Sequence, residues 1–259
     1  MSAESLLGKV GPHEKALRRF FREFDLPAEV QPWKKRAVIL VFSNRSGSSL
    51  IGEHLRATGR FSGFGEPFNQ DTVIQRCQEE GLDSFYQYLQ WMVDKLHVPT
   101  TQFGMKASLD QVLMLMRSGA VARFFPHVRW LLVERVDLLS QAVSLHIAEQ
   151  TAVWHSFQED TGKKPAYNYK RIRELLLGIS DNYAASASLL SLCGVTPYHI
   201  TYEQFVADPE AETTKIAQAM GAGENIRIKR KRLQLRKQAN EINEEFRLQF
   251  LRDFLKRGI

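Results

Sequence analysis

The chain has 259 residues, of which 44% are hydrophobic and 25% are charged, an ordinary composition for a globular protein that indicates no special class. It contains no run of about 18 apolar residues and no charged-then-apolar leader, and we therefore predict a cytoplasmic protein without a membrane span. The net charge of +6 and the isoelectric point near 9.3 favour an anionic partner, which leaves nucleic acid, anionic lipid and a phosphorylated small molecule as alternatives.

Apolar runs alternate with helical patterns along most of the chain. Short apolar runs predict strands over 38–42, 103–107, 128–134 and 196–202. The apolar spacing predicts helices over 13–24, 48–58, 82–96, 109–118, 137–152 and 169–193. Strands that alternate with helices indicate an α/β fold whose parallel sheet is covered on both faces. We expect one domain over 1–259, with the helix 13–24 and the basic segment 227–259 as appendages.

The predicted strand that ends at Phe42 is followed by small and polar residues, Ser43-Asn44-Arg45-Ser46-Gly47-Ser48-Ser49. A turn between a strand and a helix directs backbone N–H groups and the positive end of the helix dipole at one point, which suits a phosphate or a sulfate. Gly47 lets the main chain approach closely, the serines add donors, and Arg45 adds a fixed positive charge. The stretch predicts an anion-binding loop, although a serine-rich N-cap has the same composition.

This loop departs from the usual pattern for a nucleotide triphosphate, which is G-x-x-x-x-G-K-[ST]. Phe42 stands at the first glycine of that pattern, and Ser48 stands at its lysine. Without the lysine, a kinase or another ATP-using enzyme is the weaker alternative, and a phosphate-containing donor that needs no metal is favoured. Cys77 and Cys193 have no histidine or second cysteine at metal spacing, so we predict no metal site.

Five segments, in chain order, resemble one family: VFSNRSGSSLIGEHLRATGRFSGFGEPFN (41–69), FGMKAS (103–108), VERVDLLSQAVSLHIAEQTAVWH (133–155), ITYEQFVADPEA (200–211) and RKQANEINEEF (236–246). They are similar to sulfotransferases that use 3′-phosphoadenosine-5′-phosphosulfate (PAPS), most closely to the bacterial trehalose 2-sulfotransferase-like family. Asn44 and Ala152 stand where that family usually has proline and glycine. The resemblance implies a P-loop-like three-layer α/β fold, and metal-free transfer of the PAPS sulfuryl group to an acceptor hydroxyl, with PAP as the product.

The resemblance places the donor in the loop after the first strand. Arg45 would stabilise the charge that develops as the phosphosulfate bond breaks. The 5′-phosphate would be held by Ser46, Gly47, Ser48 and Ser49. Arg135 and Ser144 match the arginine and serine that grip the 3′-phosphate, and Arg236 or Lys237 would add a second contact. From the residues alone, Arg135 could equally be a surface cap, and the basic cluster within 227–237 a solvated face.

Glu66 in the FGEPFN stretch matches the catalytic base of similar sulfotransferases, and a carboxylate there could take the proton of the acceptor hydroxyl. His155 is the rival base, since imidazole can serve the same role. Without the family, Glu66 would be an exposed turn glutamate. Lys106, near a strand end, is predicted to be a third cation close to the sulfuryl group, with an ordinary solvent-facing lysine as the alternative.

Gln150, Trp154 and His155 are predicted to line an acceptor pocket together with Glu66 and Lys106. An indole ring and an amide suit a sugar, so we expect a carbohydrate or another small alcohol as the acceptor, although Trp154 could also belong to the core. Members of the resembled family often form dimers, which implies a homodimer. The alternatives are a non-catalytic PAP-binding protein and a nucleic-acid-binding protein that uses the basic C-terminal segment.

Overall fold

The computed structural model describes residues 3–154, 161–234 and 241–257. The strands are β1 (Ala37–Phe42), β2 (Phe61–Gly65), β3 (Gln102–Ser108), β4 (Val128–Glu134) and β5 (Tyr198–Thr201). The helices are α1 (Ala3–Gly8), α2 (Pro12–Phe20), α3 (Ser48–Ala57), α4 (Gln70–Glu80), α5 (Phe85–Leu96), α6 (Leu109–Arg117), α7 (Leu138–Thr151), α8 (Tyr169–Leu192), α9 (Tyr202–Ala207), α10 (Pro209–Ala219) and α11 (Glu241–Arg257). None of the helices in these ranges has both the length and the hydropathy that a membrane span requires.

The strands form one parallel sheet in the order β2-β3-β1-β4-β5, with β1 at its centre. β1 pairs with β3 from Ala37 opposite Phe103 to Phe42 opposite Ser108, and every residue of β1 is buried. Strands buried on both faces are continuous apolar runs, which is why β1 is evident in the sequence. Helices cover both faces, so the predicted three-layer α/β fold with a central parallel sheet is confirmed.

The two faces of the sheet bury separate apolar clusters. Ile39 and Met105 point to the face covered by α2, α5 and α6. Leu40 and Leu131 point to the other face, where α3 and α10 pack. This alternation places Lys106, which lies opposite Leu40 in the register, on the α3 face of the sheet.

The structure confirms, to within one residue at each end, the strands predicted over 38–42, 103–107 and 128–134 and the helices predicted over 48–58, 109–118, 137–152 and 169–193. The strand predicted over 196–202 is shorter and spans Tyr198–Thr201. It ends at Thr201 because this residue caps α9 by accepting a hydrogen bond from the Gln204 backbone N–H. The helix predicted over 82–96 starts at Phe85, because the Ser84 side chain caps it.

The helix predicted over 13–24 ends early, at Phe20, and the chain continues in an extended conformation from Phe21. Phe24 then stacks on Phe85 of α5, with ring centroids 4.9 Å apart. Burial of these rings against α5 outweighs the helical spacing of the sequence. Leu17, Phe21 and Phe24 are at most 5% exposed, so this face packs on the protein's own core.

A buried carboxylate fixes α2 to the rest of the protein. Glu14 is fully buried and accepts hydrogen bonds from Arg18 Nε at 2.9 Å and from Arg117 Nη1 of α6 at 2.7 Å. Arg117 also donates to the backbone oxygens of Leu7 and Lys9. Removing Glu14 would leave the partly buried Arg117 guanidinium without its carboxylate partner.

Glu14→Ala should therefore lower the free energy of unfolding by about 3 kcal/mol, measured by urea denaturation. Glu79→Ala is the matched control, because Glu79 pairs with Arg76 in an exposed ion pair on α4 and its loss should leave the unfolding midpoint nearly unchanged. Equal effects of the two substitutions would contradict a special role for the buried network.

Candidate active site

The carboxyl ends of the five parallel strands bring the predicted site residues to one edge of the sheet. The loop 43–47 follows β1 at the centre, Glu66 follows β2, and Arg135 follows β4. Lys106 lies two residues before the end of β3, and Tyr202 directly follows β5. Open parallel α/β sheets bind their ligands outside this edge. The fold thus gathers residues that the sequence spreads over more than a hundred positions.

The loop after β1 has the shape of an anion cradle. Gly47 has a φ of 89°, and a Cβ placed on it would lie 2.5 Å from the Tyr202 ring, so both conformation and space require glycine. No described side chain caps α3, which leaves the N–H groups of its first turn available to a ligand. Ser46 is fully buried, and its Oγ has no hydrogen-bond partner among the described residues.

Arg45 connects this loop to α7 and to the residues that follow α7. Its Nε donates to Ser144 Oγ at 2.9 Å, and its Nη1 donates to the Trp154 carbonyl oxygen at 2.5 Å. Burial, and after it the positive charge of Arg135, lower the pKa of Arg45 below its usual value. Two guanidinium groups whose charges repel at a partly buried position are stabilised when an anion binds between them.

Arg135 is held from two sides. Its guanidinium lies over the ring of Tyr202, 4.9 Å from the centroid. Its Nε is buried and makes no hydrogen bond within the described part of the chain, while Glu203 Oε1 lies 3.7 Å away, beyond hydrogen-bond range. A buried donor without a hydrogen bond could bind an oxygen atom of a ligand, and the binding role predicted for Arg135 stays a prediction.

A hydrogen-bonded chain that the sequence analysis missed connects the loop to the end of β4. Gln141 Nε2 donates to Ser43 Oγ and to the Asn44 carbonyl oxygen, both at 2.8 Å. Tyr183 donates its hydroxyl to Gln141 Oε1 at 2.8 Å and accepts from the Arg135 backbone N–H at 3.0 Å. Burial raises the pKa of Tyr183, so the hydroxyl keeps its proton. Both side chains come from helix interiors, where the sequence offers no signal for them.

Glu66 and Lys106 form an ion pair beside the loop. Lys106 Nζ donates to Glu66 Oε1 and to Ser49 Oγ, both at 2.8 Å, and lies 5.1 Å from the centroid of the Phe42 ring. Lys106 is only 4% exposed, so the alternative of a solvent-facing lysine is wrong. The Glu66 side chain is 36% exposed, which leaves it within reach of a ligand.

A strained bulge leads into Glu66. Phe64 is a non-glycine residue with a φ of 57°, and the pairing of β2 with β3 shifts register between Gly63 and Gly65. A Cβ on Gly104 of β3 would lie 2.5 Å from the Phe64 ring, so this glycine makes room for it. Such a conformation costs about 1–3 kcal/mol and persists only where the surroundings impose it.

A cleft of about 670 Å³ opens beside the Glu66–Lys106 pair. Its apolar and glycine lining comprises Gly63, Phe64, Gly65, Pro67, Tyr88, Trp91, Leu96, Phe103 and Gly104. Its polar lining comprises Ser49, Glu53, Arg56, Glu66, Asn69, Thr72, Arg76, Lys106 and Gln234. Its volume is in the range of small-molecule sites.

Two residues predicted for the acceptor pocket do not line this cleft. Gln150 Nε2 donates to the Ala166 carbonyl oxygen and its Oε1 accepts from the Ala166 N–H, which ties α7 to the chain before α8. Trp154 is 37% exposed and therefore no core residue, and it contacts Arg45 through its carbonyl oxygen. Three further predicted residues lie outside the described ranges: His155, Arg236 and Lys237.

The described ranges contain no group of three or more His, Cys, Asp or Glu side chains that could hold a metal ion. The anion-binding features of the site are cationic side chains, hydroxyls and backbone N–H groups.

The chain is similar to several solved structures at low sequence identity. Among solved structures it is similar to a sulfotransferase from Alicyclobacillus acidocaldarius, at 13% identity over 87% of this chain and 93% of that one, with a TM-score of 0.47. It is also similar to the sulfotransferase domain of the Synechococcus PCC 7002 olefin synthase, at 14% identity over 77% of each chain, with a TM-score of 0.46. A search of curated proteins found no match.

The chain also matches a family model. The model for Stf0 sulphotransferase matches residues 105–253, more than half of the 259-residue chain. These residues include Lys106, Arg135, Ser144 and Tyr202. The chain therefore belongs to the Stf0 sulphotransferase family of PAPS-dependent enzymes.

Proposed function

We propose that the protein transfers the sulfuryl group of PAPS to a hydroxyl of a carbohydrate or another small alcohol, with Glu66 as the base. The observation that carries this proposal is the position of Lys106. Its ammonium group bonds to Ser49 in the first turn after the anion loop and to Glu66 at the cleft. One buried cation thus joins the proposed donor site to the proposed acceptor site.

The residues present fit a donor with a 5′-phosphosulfate and a 3′-phosphate. When bound, PAPS supplies the activated sulfuryl group that the reaction transfers. The N–H groups of the α3 first turn and the unpartnered Ser46 Oγ suit the 5′ end, where Arg45 would neutralise developing charge. Arg135, with its unpartnered Nε, suits the 3′-phosphate, and Ser144 would position Arg45 as well as offer its hydroxyl.

The course of segment 229–234 supports the proposal of a second 3′-phosphate contact. The Lys229 N–H donates to the Ala57 carbonyl oxygen at the end of α3, and the Gln234 N–H donates to Glu53 Oε1 one turn earlier in that helix. The segment therefore runs along α3 toward its N-terminus and the anion loop. This course supports the proposal that Arg236 or Lys237 contacts the donor.

Glu66 is oriented to receive a proton. Lys106 holds Oε1, whereas Oε2 has no hydrogen-bond partner among the described residues. Oε2 would take the proton of the acceptor hydroxyl as the hydroxyl oxygen attacks the sulfur. The Lys106 ammonium would at the same time stabilise negative charge on the sulfuryl oxygens. His155 stays the alternative base, with Gln150 and Trp154 as predicted acceptor contacts.

The assembly and the location of the protein stay predictions. α11 exposes Leu248, Leu251 and Leu255 along one side, and a second copy of the chain could cover them in a homodimer. Its opposite side packs Phe246 and Phe250 against α7 and α8, which supports one sulfotransferase domain over 1–259. A cytoplasmic location rests on the sequence alone.

Arg45→Ala should lower the rate of sulfuryl transfer from labelled PAPS by about 100-fold or more, because it removes the cation at the bond that breaks. Circular dichroism should show an unchanged fold. Arg173→Ala is the matched control, since Arg173 is exposed on α8 away from the site, and it should retain the wild-type rate. A near-normal rate for Arg45→Ala would exclude the proposed role.

Glu66→Gln should keep the affinity for PAP and lower kcat by about 100-fold or more, because the amide cannot accept the proton. Calorimetry measures the affinity for PAP, and a transfer assay measures kcat. If kcat is unchanged, Glu66 is not the base and His155→Ala becomes the variant to measure. Wild-type protein that binds PAP but transfers no sulfuryl group to any alcohol would favour the non-catalytic alternative.

A further inference from the structure

Part of the wall of the cleft beside Glu66 is apolar. Trp91 on α5 lines it with a partly exposed side chain, and Leu96 at the end of α5 has 41% of its surface exposed. Phe64 on β2 and Phe103 on β3 also line it, but each is only 1% exposed, and Gly104 leaves space for Phe64, whose φ is positive. An indole ring at such a surface binds flat apolar groups through its face.

The cationic side chains that line the cleft have partners within the protein. Lys106 is in an ion pair with Glu66, and Arg76 is in an ion pair with Glu79. Arg56 donates to the Gly63 carbonyl oxygen at 3.0 Å. An acceptor that carried its own charge would have to compete with these contacts and would lose hydration on entry. The cleft therefore suits an uncharged molecule.

One polar group in the apolar wall lacks a partner. Trp91 Nε1 is buried and makes no hydrogen bond to any described residue. An indole N–H in such a place normally finds an acceptor. An oxygen on the bound molecule could fill this role, which would fix the orientation of a flat ring relative to Glu66.

We propose that the acceptor is an uncharged alcohol whose hydroxyl is attached to a flat apolar ring system, and that Trp91 and Leu96 determine this specificity. The proposal rests on the proposed sulfuryl transfer with Glu66 as base. A free sugar of similar size carries hydroxyls on every side, and those that face Trp91 and Leu96 would lack partners there, which weakens binding. The proposal narrows the expected acceptors to small alcohols other than free carbohydrates.

An uncharged apolar alcohol, a sugar and a charged apolar alcohol are the three acceptor classes that test this proposal. In a transfer assay with labelled PAPS, 2-(naphthalen-2-yl)ethanol should have a kcat/KM at least about tenfold higher than those of glucose and trehalose. The same naphthyl alcohol bearing a carboxylate should have a kcat/KM lower by about tenfold or more, because the cationic side chains of the cleft already have partners in the protein. A sugar, or the carboxylated alcohol, as the better acceptor would overturn the proposal.

Leu96→Lys should raise the KM for the naphthyl alcohol by about tenfold with little change in kcat, since it places a charge at the rim of the cleft. The control is Leu192→Lys, which changes an equally apolar, 78% exposed residue at the end of α8, outside the cleft, and should leave both constants unchanged. Trp91→Phe keeps an aromatic ring without the N–H and should raise KM less than Leu96→Lys does. Unchanged constants for Leu96→Lys would contradict the assignment.

Calorimetry with PAP distinguishes failure of this inference from failure of the proposed function. If PAP binds and a sugar is the better acceptor, the acceptor class is wrong and the proposed function stands. If PAP does not bind, direct calorimetric titration with the naphthyl alcohol tests by itself whether the cleft binds an apolar ring. Binding that Leu96→Lys weakens and Leu192→Lys leaves intact supports the apolar cleft, and no binding overturns it.

Discussion

The buried ammonium group of Lys106 is the interaction on which the site depends. A lysine that is 4% exposed within a strand must have its charge compensated, and here the partners are a hydroxyl of α3 and a carboxylate beyond β2. These partners come from chain segments on two sides of β3, so the cation holds them at a fixed separation. A neutral side chain at this position would leave Glu66 without its oriented partner.

Backbone strain is concentrated around the same edge of the sheet. Within the described ranges, the non-glycine residues with positive φ are Arg45, Phe64 and Ala152. The first is in the anion loop, the second leads into Glu66, and the third ends α7 two residues before Trp154. Ala152 stands where similar sulfotransferases usually have glycine, and its φ of 60° gives the physical reason for that preference. Such strain is commonly stored where function requires a particular geometry.

The elements that could be predicted from the sequence have apolar residues at a regular helical spacing or a continuous apolar run, as in β1 and β4. The sequence did not predict β2, because the glycines of FSGFG weaken the strand pattern and mark a bulge. The anion loop could be predicted, since its chemistry lies in consecutive residues. The contact between Lys106 and Glu66 could not, because it joins residues 40 positions apart through a strand register that no local pattern specifies. The roles of these residues came from family resemblance, and their proximity came from the fold.

The most direct test of the account is calorimetric titration of the protein with PAP, with and without Mg²⁺, and with ATP for comparison. The anion site has hydroxyls, backbone N–H groups and two guanidinium groups. The account therefore predicts that PAP binds independently of Mg²⁺ and at least about tenfold more tightly than ATP. An absence of PAP binding, or tighter binding of ATP that requires Mg²⁺, would contradict it.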